Sequence, residues 1–538
     1  MFTREWLEVD LAVRDGHVVG LGDYDGETVV DCRDVRLIPG LIDAHVHIES
    51  SKLVPAEFAR AVVPHGTTAV VADPHEIANV LGVRGVRWML DASEGLPLAV
   101  FMMAPSCVPA SPFESPLGAL GPADLEELLR HPRVIGLGEM MNYPGVVAGD
   151  PAELAKLAAA RAGRPRGHAD GHAPGLSGRA LNAYVAAGID SDHEAVTAAE
   201  ALEKRRLGMW VLLREASIAR NLRDLLPLVR THGPELCALC TDDREPDFLV
   251  REGHLDQMLR VAVEGGVAAE DAILMATLHP ARCHGLARRG ALAPGYRADV
   301  VLLDDLRRFE PRAVYVGGAE PIHPRSDLPG WLLQTMNLAA VTPDTFRVTP
   351  TTGPIRVIGV VPGQLLTRAL EMEPAVQGGA CVAAPDRDLV KIAVVERHHA
   401  TGRVGLGFAT GVGLRRGAYA ATVAHDAHNV VVLGVDDRSM ATCVRRLAEI
   451  GGGLVVAEGE TVLGELPLPV AGLMSDRPLV EVDRGLERLQ VVLSALGVVA
   501  ESPFMTLSFL ALSVIPELKI TDRGLVDVNR FELVPLAV

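Results

Sequence analysis

Between residues 38 and 241 the chain repeats one pattern eight times, a short apolar run followed by a stretch long enough for a helix. The runs lie near 38–46, 67–72, 98–104, 133–138, 166–171, 188–191, 208–213 and 236–241. Apolar strands that alternate with helices read as a parallel sheet with crossover connections. A spacing of roughly 20 to 35 residues holds one strand and one helix, and eight such units close a barrel of about 250 residues. The expected fold class is therefore α/β, a (β/α)8 TIM-like barrel, with an open doubly wound sheet as the alternative topology. A closed parallel barrel carries its chemistry at the C-terminal ends of the strands, so the polar residue ending each run is the one to inspect.

The first run ends in Asp43-Ala44-His45-Val46-His47. Side chains two apart on a strand point the same way, so His45 and His47 project together and can share one metal ion. The fourth run closes on Glu139, the fifth on Asp170-Gly171-His172, the sixth on Ser191-Asp192-His193-Glu194 and the eighth on Thr241-Asp242-Asp243. Taken singly, each has an ordinary structural explanation, such as an N-cap for Asp242 or a helix cap for Glu139 and His193. Together they bring imidazoles and carboxylates to several strand ends, a donor set that suits two divalent ions bridged by a carboxylate.

The excess of 69 acidic over 51 basic residues gives a formal net charge of −18. That charge repels phosphate backbones and anionic bilayers, so neither nucleic acid nor membrane is an expected partner. The opening Met1–Glu8 lacks the apolar core of a secretion signal. Two uncharged stretches, 95–113 and 502–516, are broken or bracketed by proline and read as buried core or interface rather than spans. Seven scattered cysteines, an odd number, fit reduced thiols in a cytoplasmic setting better than a disulfide framework.

At 538 residues the chain exceeds what one core organises. Leu11–Leu21 is two apolar runs around Asp15-Gly16, a hairpin signal, and Gly290–Leu303 again reads as strand, turn and strand. Residues 1–36 and 286–344 are expected to form one small β-sandwich domain that brackets the barrel, 37–285. Beyond it come Gly-rich strand-like runs at 355–361 and 389–395 and helical stretches near 439–450 and 486–496. Residues 345–538 are expected as a C-terminal α+β domain.

Several segments together resemble the adenine deaminase family of the amidohydrolase superfamily: Pro39–Ser51, Ala72–Val80, Gly138–Val146, Asp170–Gly178, Ser191–Glu194, Cys240–Arg244, His425–Asn429 and Pro503–Leu510. The resemblance spans nearly the whole chain. It implies two divalent metal ions, manganese (Mn2+) first and iron (Fe2+) second, held by His45, His47, Glu139, His172, His193 and Asp242, with Glu139 in the bridging place. His168 competes with His172 for the fifth-strand position, and His172 is preferred because it alone stands inside the Asp-Gly-His-Ala-Pro-Gly pattern. The implied reaction is hydrolysis of adenine to hypoxanthine and ammonia, with Glu139 and Asp242 at the reacting centre and Asp242 moving the proton.

The turn 425–429 would fold over the barrel mouth, placing Asp426 and His428 for substrate binding or proton transfer. A homo-oligomer, in the simplest case a dimer, is expected. One rival is a cyclic-amide amidohydrolase of hydantoinase type, which usually carries lysine where this chain has Glu139. Another is a non-catalytic metal-binding relative. A zinc cytidine-type deaminase is set aside, because Cys237 and Cys240 fall inside an apolar run and residue 236 is Leu where that signature has Pro.

Overall fold

The computed structural model describes residues 1–164, 167–324 and 328–538. A hairpin, β1 (Asp10–Arg14) and β2 (His17–Gly22), opens the chain and turns at Asp15-Gly16, where both residues have left-handed φ, 50° and 76°. Next, β3 (Arg36–Pro39) leads directly into the barrel, whose strands are β4 (Leu41–Val46), β5 (Thr67–Ala72), β6 (Ala99–Ala104), β7 (Val134–Met140), β8 (His168–Gly171), β9 (Ser191–Asp192), β10 (Trp210–Arg214) and β11 (Cys237–Cys240). Every residue of β4, β5 and β7 is buried. That explains why these sequences are mostly apolar and do not alternate: a parallel strand between a helical shell and a filled interior has two dry faces.

The strands pair in parallel in chain order, β4 through β8 in one run and β9 through β11 in another. The ring closes where Asp242 N–H donates to His45 O at 3.0 Å and His47 N–H to Asp242 O at 3.2 Å, and where Asp190 N–H reaches Ala169 O at 2.8 Å. The closed eight-stranded barrel is thus the expected topology, and the open sheet is excluded. Two details differ. The sixth strand is only Ser191–Asp192, because Gly188 turns the backbone with φ +104° just before it. The fifth begins at His168, and residue 166 of its expected span lies outside the described residues.

After the barrel, β12 (Val300–Leu303) pairs with β3 on one side and with β13 (Pro311–Tyr315) on the other. Of the strand, turn and strand expected over 290–303, the turn stands at Pro294-Gly295 and the second strand is β12, but the first is coil: Gly290 and Gly295 hold φ of 77° and 82°, and Pro294 offers no N–H to a ladder.

The C-terminal part is built on β14 (Ile355–Val360), β15 (Thr367–Met372), a ribbon of β16 (Ala375–Gln377) and β17 (Ala380–Val382), then β18 (Val390–Val395), β19 (Val404–Thr410), β20 (Ala418–Ala421), β21 (Val430–Gly434), β22 (Gly453–Glu458) and β23 (Thr461–Pro467). Eight of these form one sheet in the order β15-β14-β19-β18-β21-β20-β22-β23. Helices Asp437–Glu449 and Leu479–Ala495 accompany it, the first capped by the Asp436 carboxylate, which accepts from Ser439 N–H. A last sheet, β24 (Leu518–Thr521), β25 (Gly524–Asp527) and β26 (Glu532–Val534), ends the chain.

What matters for function is where this part rests. The apolar stretch 502–516 forms the short helix Pro503–Phe509 and a buried loop, in which Met505, Phe509 and Leu512 pack on Cys107, Ala110 and Met141 beside the barrel mouth. Asn429 Nδ2 donates to Ser115 O at 3.0 Å, and the hydroxyls of Ser111 and Ser513 meet at 2.6 Å. The C-terminal sheet is therefore pinned over the strand ends by apolar burial, worth about 1.5–3 kcal/mol for each large side chain, and by polar contacts that fix its register. No helix among the described residues is long and apolar enough to cross a membrane.

Candidate metal centre

His45 is the fifth residue of β4, and His47 follows the strand's last residue, so pleating sends both rings to the same side, into the mouth. Their Nε2 atoms stand 3.1 Å apart. Each ring is held from behind: His45 Nδ1 donates to Asp170 Oδ2 at 2.7 Å, and His47 Nδ1 donates to Asp73 O at 3.0 Å. With Nδ1 carrying the proton, the Nε2 lone pairs face one another, and two lone pairs at that separation are matched by a cation between them.

Glu139, near the end of β7, occupies the centre of the remaining groups. Its Oε1 lies 3.2 Å from His47 Nε2 and 3.8 Å from His45 Nε2, while its Oε2 lies 2.7 Å from His172 Nδ1 and 3.4 Å from His193 Nε2. One carboxylate thus reaches two pairs of imidazoles. Asp242 closes the ring with Oδ1 3.1 Å from His47 Nε2 and 3.7 Å from His45 Nε2. It holds that place with a left-handed backbone, φ 56°, a conformation that costs a non-glycine residue about 1 kcal/mol or more and clusters at functional sites.

All six residues are at most 5% exposed. Glu139 Oε1, His172 Nε2 and His193 Nδ1 are buried without a hydrogen-bond partner. Burial alone would raise the Glu139 carboxyl, but His172, His193 and His47 outweigh it and hold it well below the usual range. Burial likewise opposes a charged His193, and Glu139 with Asp242 lifts it to about 10. The carboxylates therefore demand positive charge at this spot. Protons on imidazole can supply it, and so can a divalent ion, for which mixed nitrogen and oxygen donors of this kind are suited. The donor set fits the divalent ions expected from the sequence.

His172, and not His168, meets Glu139. His168 stands at the start of β8, two strand positions below Asp170, with its Nε2 2.6 Å from Ser191 Oγ and its ring 4.5 Å from that of His284. The turn 425–429 lies between β20 and β21, as expected, and reaches the mouth. Asp426 Oδ1 is 3.6 Å from His75 Nε2, and His75 Nδ1 is 3.5 Å from Glu139 Oε1. His428, at φ 51°, accepts from Ala424 N–H through Nδ1. His425 stacks on Phe509 with centroids 4.7 Å apart.

Reading strand ends from the sequence left several neighbours without a role. Arg214 ends β10 and pairs with Glu194 and, at 3.0 Å, with Asp242 Oδ2. The rule of inspecting the polar residue that closes each apolar run applies to it equally. His75 has both ring nitrogens buried and unpartnered, and Glu76 accepts from Ser50 Oγ at 2.7 Å. Both follow β5 in Asp73-Pro74-His75-Glu76, a motif visible in the sequence.

Comparison with known proteins adds to this geometry. A family model described as "Amidohydrolase family" matches residues 36–320, and one described as "Adenine deaminase C-terminal domain" matches 364–532. An adenine deaminase 2 from Carboxydothermus hydrogenoformans is 46% identical, covering 100% of this chain and 95% of its own length. An adenine deaminase from Oleidesulfovibrio alaskensis is 48% identical, covering 98% of this chain and 93% of its own. A crystal structure of an adenine deaminase aligns with 59% of this chain and 96% of its own at 15% identity and a TM-score of 0.45.

Proposed function

Because the chain belongs to the adenine deaminase family of the amidohydrolases, we propose that it hydrolyses adenine to hypoxanthine and ammonia at the barrel mouth. His45, His47, Glu139, His172, His193 and Asp242 would hold two divalent ions, with manganese the first choice and iron second. Bound there, the ions supply Lewis acidity and make water acidic enough to be a nucleophile near neutral pH. The observation that carries the reading is the placement of one buried carboxylate, Glu139, within 3.8 Å of five imidazoles, the four proposed ligands and His75.

The chain's own residues divide the remaining work. Burial would raise the Asp242 carboxyl, but His47 and Arg214 hold it well below the carboxylate range, so it is ionised and able to take the proton of the attacking water. Its Oδ1 faces the site while Arg214 fixes Oδ2, which leaves one oxygen for proton transfer toward the ring nitrogen or the departing amine. Asp426 and His428 come from the covering turn and are proposed to contact the base and assist proton transfer. The covering turn and helix Pro503–Phe509 keep the site dry, which strengthens every charge interaction within it. All seven cysteines are free thiols, which supports a reducing, cytoplasmic setting. The test is ammonia release by purified, manganese-loaded protein given adenine, cytosine, adenosine and hydantoin in parallel. Release from hydantoin or cytosine but not adenine would overturn the reading.

A further inference from the structure

We propose that His168 is a positioning residue for the metal ligand His45, acting down the barrel interior through Ser191 and Asp170. On β8, His168, Asp170 and His172 alternate to one side, so all three side chains enter the barrel at successive levels. Branched apolar residues usually fill that space, whereas here His168, Asp170 and Ser191 are all buried and hydrogen-bonded to one another.

The direction of each proton in this column is fixed by chemistry. Asp170 is a carboxylate and can only accept. Its Oδ2 takes the His45 Nδ1 proton at 2.7 Å, and its Oδ1 takes the Ser191 hydroxyl proton. Ser191 Oγ, having given its proton, offers lone pairs to His168 Nε2 at 2.6 Å, so His168 must donate there. The Cys283 thiol does not compete: its sulfur is 3.9 Å from both nitrogens of His168, so it lies along the in-plane lone pair of neither. Every proton in the column therefore points toward Asp170, and Asp170 in turn fixes the tautomer that leaves His45 Nε2 free to bind metal. With His168 removed, Ser191 loses the donor that orients it, and the carboxylate behind His45 loses its second support. Outer partners of this kind typically alter metal affinity or activity about 10- to 100-fold.

The inference rests on reading His45 as a metal ligand, so the experiment separates the two. Manganese affinity is measured by chelator competition for the wild-type chain and for His45→Ala, His168→Leu, His168→Gln and Ser191→Ala. The expected result is about tenfold weaker manganese binding in His168→Leu and Ser191→Ala, an unchanged KM for adenine, and recovery in His168→Gln, whose amide can donate to Ser191. Ser191→Ala, a small change, guards against a misfolded His168→Leu. Unchanged affinity in both His168→Leu and Ser191→Ala overturns the relay, as does a His168→Gln variant no better than His168→Leu. Wild-type affinity in His45→Ala overturns the ligand reading itself.

Discussion

His428 presents its Nε2–H to Glu76 Oε2 across 3.7 Å, because its Nδ1 is already occupied as an acceptor for Ala424 N–H at 3.1 Å. Neither Nε2 nor Oε2 has a hydrogen-bond partner, and both residues are fully buried. A donor from the C-terminal sheet and an acceptor from the barrel thus face each other, slightly too far apart to satisfy one another. Unpaired buried polar atoms cost about 1–3 kcal/mol each, and this pair lies where the C-terminal sheet meets the proposed metal site, with His428 proposed to contact the base.

From this comes a prediction on turnover. His428→Ala should lower kcat on adenine about tenfold or more, in the range of a lost proton-transfer or orienting group, with metal content intact. His428→Asn serves as the companion because asparagine tolerates the left-handed φ of 51° found there. Normal turnover with only a lower Tm would reduce the turn to a structural element.

A second prediction concerns Glu139. Replacing it with Gln keeps the shape and removes the charge that lies within 3.4 Å of His47, His172 and His193. Elemental analysis should find fewer than two divalent ions per chain, and ammonia release should fall at least about 100-fold. Two ions at full occupancy with unchanged turnover would be fatal to the bridging role.

Most of the barrel was legible because its strands are dry on both faces and therefore spell themselves as apolar runs such as Ala69–Ala72 within β5. The exception, Ser191–Asp192, is too short to leave such a trace. Candidate site residues were legible where they end a run, as His47 and Asp242 do. What pattern reading cannot supply is contact at long separation: Asp170 behind His45, Arg214 against Asp242, or His75 beside Asp426. These pairs are made by closure of the barrel and by docking of the C-terminal sheet, and nothing local in either partner announces the other.

A third prediction uses a group that is not among the proposed metal ligands. Lys519, on β24, is fully buried and donates to Leu365 O at 2.8 Å and Phe509 O at 3.0 Å, with burial pulling its pKa from 10.5 to about 7. Between pH 7 and 10.5 the unfolded chain holds a proton that the folded chain has released, so stability rises with pH across that window. Below pH 7 both states are charged and the penalty of burying the ammonium is present in full. The Tm of the wild type relative to Lys519→Met should therefore climb between pH 6.5 and 9, apart from the pH-independent loss of the two hydrogen bonds. Parallel Tm profiles for the two proteins would show that the ammonium stays charged throughout.

The last prediction is the choice between base and nucleoside. His45, Glu139 and His193 are each 1% exposed, and Asp426 and His428 are at 0%. The covering turn and the stacked pair of His425 and Phe509 lie directly over the strand ends. A planar base entering this space fills a closed site, whereas a ribose on the imidazole edge adds a bulky polar group that must either displace the turn or stay outside and leave the base unseated. A nucleoside also lacks the ring N–H that a free base can offer to a buried carboxylate, and a site with unpaired buried polar groups rejects the analogue that cannot pair with them by large factors. We therefore expect kcat/KM for adenine to exceed that for adenosine by at least about 100-fold. Deleting the covering contact with Phe509→Ala should narrow that ratio by letting the turn move, chiefly through adenosine KM. Equal kcat/KM values for the two substrates in the wild type would mean that the mouth is open in solution, and the assignment of a free base as substrate would fall with it.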